Sequence, residues 1–206
     1  ISITDPTSEV RDRIPVPPAL KRFIWDIQSM VELADSEREI LVIGRDLMTR
    51  LIASDDWLPT AFAAADSLRG RQFQIYSDGL ERFSIVSSIL AGGTALAIEQ
   101  PAIWEIAGVL RGAVARQQPG GSGTKRMLQT GAVEVRSSRS GDRSQVANAL
   151  DDRVSVCIHV YGGEIGRLSR RPLVPNGQPG EPSSGYANME AGPPYDIMSI
   201  QTEILD

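Results

Sequence analysis

Residues 71–98 read RQFQIYSDGLERFSIVSSILAGGTALAI. Three short runs in this stretch, 72–76, 83–90 and 94–98, are rich in aromatic and branched residues, and Ser77-Asp78-Gly79 and Ala91-Gly92-Gly93 punctuate them. Runs of this length bounded by turn formers are strands, not helices. The same pattern continues over 104–110, 113–116, 125–129, 132–135, 145–149 and 154–161, with further turns at Ser140-Gly141-Asp142 and Gly162-Gly163. Many short strands at even spacing predict an antiparallel sandwich or barrel. Pro119-Gly120-Gly121-Ser122-Gly123 is too flexible for a strand and reads as a mobile hairpin loop.

Upstream of residue 71 the period changes to that of a helix. Leu20, Phe23, Ile24, Ile27, Met30, Val31 and Ala34 recur at helical spacing, which predicts an amphipathic helix over 19–34 entered from Pro17 and Pro18. Ser36 followed by Glu39 forms a capping box, and Ile40, Ile43, Leu47 and Leu51 continue one face, so a second helix is expected over 37–53. A short third helix is expected near 61–65. Residues 1–18 read as an extended arm, 19–66 as a helical cap, 71–171 as the barrel and 172–206 as a Pro- and Gly-rich tail wrapping it, all in one domain.

Composition narrows the chemistry. Lys and Arg total 21 against 26 Asp and Glu, a net charge of -5 with no basic run, so a nucleic-acid partner is not expected. No stretch approaches an apolar membrane span of about 18 residues, and Asp5, Glu9 and Asp12 replace the apolar region of a signal peptide, so a cytoplasmic chain without a membrane partner is expected. A single cysteine, Cys157, excludes an intrachain disulfide, and a single histidine, His159, excludes any two-histidine metal site. Composition leaves the oligomeric state open.

The segments Asp55-Asp56-Trp57-Leu58-Pro59, 81–87 (ERFSIVS), 108–113 (GVLRGA), 146–163 (VANALDDRVSVCIHVYGG) and 184–188 (SGYAN) together resemble the cupin-type thiol dioxygenases, the family of cysteine dioxygenase and 3-mercaptopropionate dioxygenase. The resemblance implies a jelly-roll barrel, an iron ion in its mouth, and addition of O2 to a small thiol to give a sulfinate. It also implies that His159 is the third iron ligand and Tyr186 the pocket tyrosine, a catalytic pair. Gln72 falls near the family position that fixes the substrate carboxylate, with Phe73 there if the alignment slips by one residue. Arg82 and Cys157 are further candidates for substrate contact, although Cys157 also reads as a small buried apolar residue and Arg82 as structural. Trp57 and Trp104 read as packing residues.

The chain departs from the family at its chemistry. The family's His-Asp-His triplet falls on Glu99-Gln100-Pro101, and other family positions hold Ser144, Pro182 and Ser184. Strand parity places Glu99 and Glu105 on one face, so Glu99, Glu105 and His159 could form a two-carboxylate, one-histidine site for Fe2+, Mn2+ or Mg2+. Two outcomes therefore stand open. One is an active metal-dependent thiol dioxygenase using that ligand set. The other is a barrel that has lost stoichiometric iron and thiol oxidation and keeps a pocket for a small thiol or carboxylate, with or without metal-free proton transfer by Glu99, Glu105 and Tyr186.

Overall fold

The structure, a computed structural model, describes residues 14–64, 70–98, 102–117, 125–140, 144–165 and 186–201. Helix α1 (Pro18–Leu33) begins with Pro at its first turn, where a missing N–H costs nothing, and buries Leu20, Phe23, Ile24, Ile27 and Met30. Helix α2 (Glu37–Leu51) is capped by Ser36, whose Oγ accepts from Glu39 N at 3.3 Å, while Glu39 Oε2 accepts from Asp35 N, one residue earlier than a reciprocal box requires. Its buried line is Gly44, Leu47, Met48 and Leu51, so the expected face is rotated and Ile43 is 38% exposed. In place of the third helix stands one 3-10 turn, Thr60–Phe62; Ala65 lies outside the described residues.

Nine strands follow among the described residues: β1 (Arg71–Ser77), β2 (Ser84–Leu90), β3 (Ala95–Ile98), β4 (Glu105–Arg111), β5 (Ala113–Gln117), β6 (Arg126–Gln129), β7 (Val133–Arg136), β8 (Ser144–Asn148) and β9 (Ser155–Tyr161). They form two antiparallel sheets, ordered β1-β2-β9-β4-β7 and β3-β8-β5-β6. From β2 onward the first strand pairs with the last, β3 with β8, β4 with β7 and β5 with β6. This is a long hairpin rolled up on itself, and β4·β9 and β5·β8 pairing closes the roll. The fold is the expected cupin jelly roll, a double-stranded β-helix with a helical cap.

The first sheet is covered on both faces, for two different reasons. Its outer face, with Ile85, Ile106, Leu110, Val156, Ile158 and Val160, packs under α1 and α2 in one core that also holds Trp57, Phe62 and Trp104. Gly44 lets α2 approach this face: a Cβ there would sit 2.2 Å from Ile106 Cδ1. Its inner face faces the barrel. Between β4 and β5 the chain turns at Gly112, whose φ of 77° and close approach to Ser155 suit glycine.

The described part of the tail, residues 186–201, packs along the edge of β1. Asn188 Oδ1 accepts from Gln74 N at 2.9 Å and Asn188 Nδ2 donates to Gln74 O at 2.8 Å, so one side chain completes the edge of β1. Ala187 N donates to Gln72 O, Tyr195 bridges Tyr76, and a short helix α3 (Ile197–Gln201) follows. Tyr195 also donates to Pro15 O, which ties tail to arm. The glycine-rich 119–123 loop and residues 172–185 of the tail lie outside the described residues. Among the described residues no helix is long and apolar enough to cross a membrane.

Candidate functional site

Paired residues of neighbouring strands share a face, so the register assembles the interior rung by rung. Glu105 of β4 stands opposite Tyr161 of β9 and Arg136 of β7, and Ala107 stands opposite His159 and Glu134. The next rung inward pairs Val109 with Cys157. The interior thus grades from charged to apolar: Leu90, Val109, Val114, Leu128 and Cys157 pack together at the far end. Cys157 is buried there, and burial pushes its thiol up to about 12.

Glu105 is the centre of the charged end. It is 1% exposed, and its Oε1 accepts from His159 Nδ1 at 2.8 Å while its Oε2 accepts from Arg136 Nε at 3.1 Å. Arg116, reaching across from the second sheet, places Nη2 3.9 Å from Glu105 Oε1 and Nη1 3.2 Å from Glu134 Oε2; Arg126 Nη1 stands 2.8 Å from Glu134 Oε1. Burial alone would raise the Glu105 carboxyl, but the His159 hydrogen bond and the charges of Arg116, His159 and Arg136 outweigh it and hold the group far below the usual carboxylate range. Burial likewise opposes the charge of Arg116, and Glu105 and Glu134 restore it. Two arginines, Arg116 and Arg136, therefore meet two glutamates inside the barrel, with the 67% exposed Arg126 at its rim, in a chain whose net charge is -5.

The ionised Glu105 has only lone pairs, so His159 Nδ1 carries the proton of this hydrogen bond, and in the neutral ring Nε2 is an acceptor. Nε2 makes no hydrogen bond, and the ring is stacked on Tyr161 at 5.5 Å and 3° between planes. An oriented imidazole beside buried guanidinium groups can accept a proton or a hydrogen bond from a small molecule and stabilise an anion.

A second polar cluster lies at the rim beyond β9. Glu164 accepts from Ser77 Oγ at 2.7 Å, from Tyr186 Oη at 3.1 Å and from Gln74 Nε2. These residues border a cleft of about 270 Å³ that Glu81, Met189, Gly192 and Pro193 complete. Glu81 adopts a left-handed φ of 57° in the turn between β1 and β2.

The expected site residues separate accordingly. His159 points into the barrel. Gln72 does too: it pairs with Ser88 and donates to Ser88 Oγ at 2.8 Å, whereas Phe73 faces the cap and meets Phe62 edge to face. Tyr186 does not join His159, because its hydroxyl hydrogen is given to Glu164, and Tyr161, in the same apolar cluster as Tyr186, stacks on His159 instead. Arg82 is engaged in ion pairs. It forks onto Asp78 at 2.8 and 3.1 Å and approaches Glu32 at 3.6 Å, which ties the β1–β2 turn to α1. Cys157 sits in the apolar end, as a small core residue does.

Glu99 lies outside the described residues, but the parity argument linking it to Glu105 fails on the topology. β3 ends at Ile98 in one sheet and β4 begins at Glu105 in the other, so no continuous strand carries parity from 99 to 105. The iron that the family resemblance implies also fits poorly on donor chemistry. Glu105 already shares its oxygens with an imidazole N–H and a guanidinium, and a divalent cation on it would stand against Arg116 and Arg136. Among the described residues no group of three His, Cys, Asp or Glu is placed to hold a metal ion.

Sequence reading missed Arg116, Glu134 and Arg136. In a strand reading Val133-Glu134-Val135-Arg136 the alternate charges look like the solvent face, and only the opposing helical cap reverses that: Val133 and Val135 pack under it, so Glu134 and Arg136 point inward.

No family model matches the chain. Solved structures are similar to about half of the chain. A conserved double-stranded β-helix protein of Klebsiella pneumoniae is 12% identical, with a TM-score of 0.46 over 58% of this chain and 97% of that one. The cupin domain of Cnp3 from Schizosaccharomyces pombe is 8% identical, with a TM-score of 0.40 over 49% of this chain and 69% of that one. A recombinant oxalate oxidase in complex with glycolate is 17% identical, with a TM-score of 0.41 over 54% of this chain and 62% of that one.

Proposed function

We propose that this cupin binds a small molecule, a thiol or a carboxylate, in its barrel and does not carry out the iron-dependent thiol oxidation implied by the family resemblance. The observation that carries this reading is the state of Glu105, the carboxylate that a substitute metal site would need. Its oxygens are taken by His159 and Arg136, with Arg116 close by. Freeing it for a metal would leave the buried Arg136 guanidinium without its counter-charge, and removing one partner of a buried pair costs about 3–5 kcal/mol. Electron donation by three neutral imidazoles cannot be reproduced by one histidine, since the chain has a single one.

The chain's own residues support binding instead. His159 offers an oriented ring nitrogen, the arginines offer donors, Gln72 lines the same wall as Cys157, and the apolar far end suits a short aliphatic portion. The negative net charge argues for a small ligand over a nucleic acid. Elemental analysis of purified protein, together with oxygen uptake on cysteine and 3-mercaptopropionate after iron loading, tests the reading. Sub-stoichiometric iron and background oxygen uptake are expected; one iron per chain with sustained uptake would overturn it.

A further inference from the structure

The geometry points to the Nη1–Nη2 edge of Arg136 as a binding fork for the carboxylate of a small organic acid inside the barrel. This inference rests on the small-molecule reading above and names what that site recognises.

Arg136 presents its donors along more than one edge. Its Nε is spent on Glu105 Oε2, yet Nη1 and Nη2 are buried and have no hydrogen-bond partner, and the same is true of Arg116 Nε. The Arg136 side chain is 10% exposed, so these are interior donors and not a surface arginine facing water. Buried donors are nearly always satisfied, and a whole unpartnered guanidinium edge is an exception that calls for an acceptor from outside the chain. The Nη1–Nη2 edge carries two parallel in-plane N–H groups, the spacing that a planar carboxylate accepts through both oxygens.

Charge agrees with this geometry. Arg126, 67% exposed, adds a positive charge at the rim beyond the interior balance of Arg116 and Arg136 against Glu105 and Glu134. His159, held on the other oxygen of the same Glu105 carboxylate, presents its Nε2 to a polar group elsewhere on the ligand. The acid group and not the thiol is then the feature recognised.

Titration calorimetry on the whole chain in low-chloride buffer tests this with propanoate, 3-mercaptopropionate, propionamide and inorganic phosphate. Propanoate and 3-mercaptopropionate should bind at one site per chain with affinities within a few fold of each other, and propionamide and phosphate at least tenfold more weakly. Arg136→Lys keeps the charge but loses the fork, and should weaken propanoate at least tenfold. Where that variant fails to fold, the double variant Glu105→Gln/Arg136→Gln removes the buried pair together and should show the same loss. No acid binding, equal binding of propionamide, tighter binding of phosphate, or unchanged propanoate affinity in either folded variant would each overturn the assignment. Iron loading with thiol oxidation, alongside Arg136-dependent propanoate binding, would sink only the non-oxidising reading.

Discussion

Glu105 changes its meaning once its neighbours are known. As a ligand candidate it would be replaced at little structural cost, but as the shared counter-ion of His159, Arg116 and Arg136 it holds the polar end of the barrel together. Glu105→Gln should therefore destabilise the fold by about 3–5 kcal/mol, measured by urea unfolding at neutral pH, because it strands buried positive charge. The pH dependence has a definite sign. The folded-state pKa of Glu105 is depressed, so its stabilisation is present above the unfolded carboxylate value of about 4.3 and drains away as pH falls below it. The gap between wild type and Glu105→Gln should accordingly narrow between pH 5 and pH 3, and a constant gap would contradict the buried ion pair. Cys157 provides a second residue-scale test. With its thiol pushed up to about 12 by burial among apolar neighbours, it should resist a disulfide reagent at pH 8 in the native state and react at once in denaturant.

Between elements, the contact that orients the inner face lies on the opposite side of the sheet. Helix α2 approaches β4 through Gly44 over Ile106 and through Gly108, where a Cβ would come within 2.8 Å of Met48 Cγ. That approach commits the even-numbered positions of β4 from Ile106 to Leu110 to the cap and so turns Glu105 and Ala107 inward. Gly44→Val should force the helix off the sheet, costing about 1–3 kcal/mol through overpacking, since Ile106 is fully buried and has nowhere to move. Thermal unfolding would report it, and a neutral effect would mean that the helix adjusts without strain. Both helices were legible from their period and start signals, because an apolar stripe at 3.6-residue spacing and a capping serine are local properties. The rotation of α2 was not, since Ile40 and Ile43 satisfy the period as well as Gly44 and Met48 do, and only close approach to β4 selects the glycine.

Across the whole molecule the tail acts as an edge strand in miniature. Asn188 supplies both a donor and an acceptor to Gln74, and Tyr195 joins Tyr76 to the backbone at Pro15, so the two ends of the described chain are fastened over β1. Asn188→Ala removes these bonds, and should speed hydrogen exchange at Gln74 and admit protease to residues 186–201 while leaving exchange in β9 unchanged. Uniform loss of protection would show that the tail is part of one cooperative unit with the barrel.

Strand number, the switch from helix to strand near residue 71 and the turns all follow from the sequence alone, because period-2 patterning and turn chemistry are set by residues adjacent in the chain. The segments around 81–87, 108–113 and 146–163 further implied the cupin roll, and the strand pairing agrees. What only tertiary structure decided is the chemistry of the barrel's interior. Glu105, Arg116, Glu134, Arg136 and His159 come from four strands in two sheets. Their meeting depends on register, on the break between β3 and β4 that defeats the parity of Glu99 with Glu105, and on a cap that turns the valines of β7 outward and its charges in. Long-range electrostatics in a buried space is a property of that assembly, so a carboxylate that reads as a metal ligand in sequence becomes an ion-pair partner in the fold.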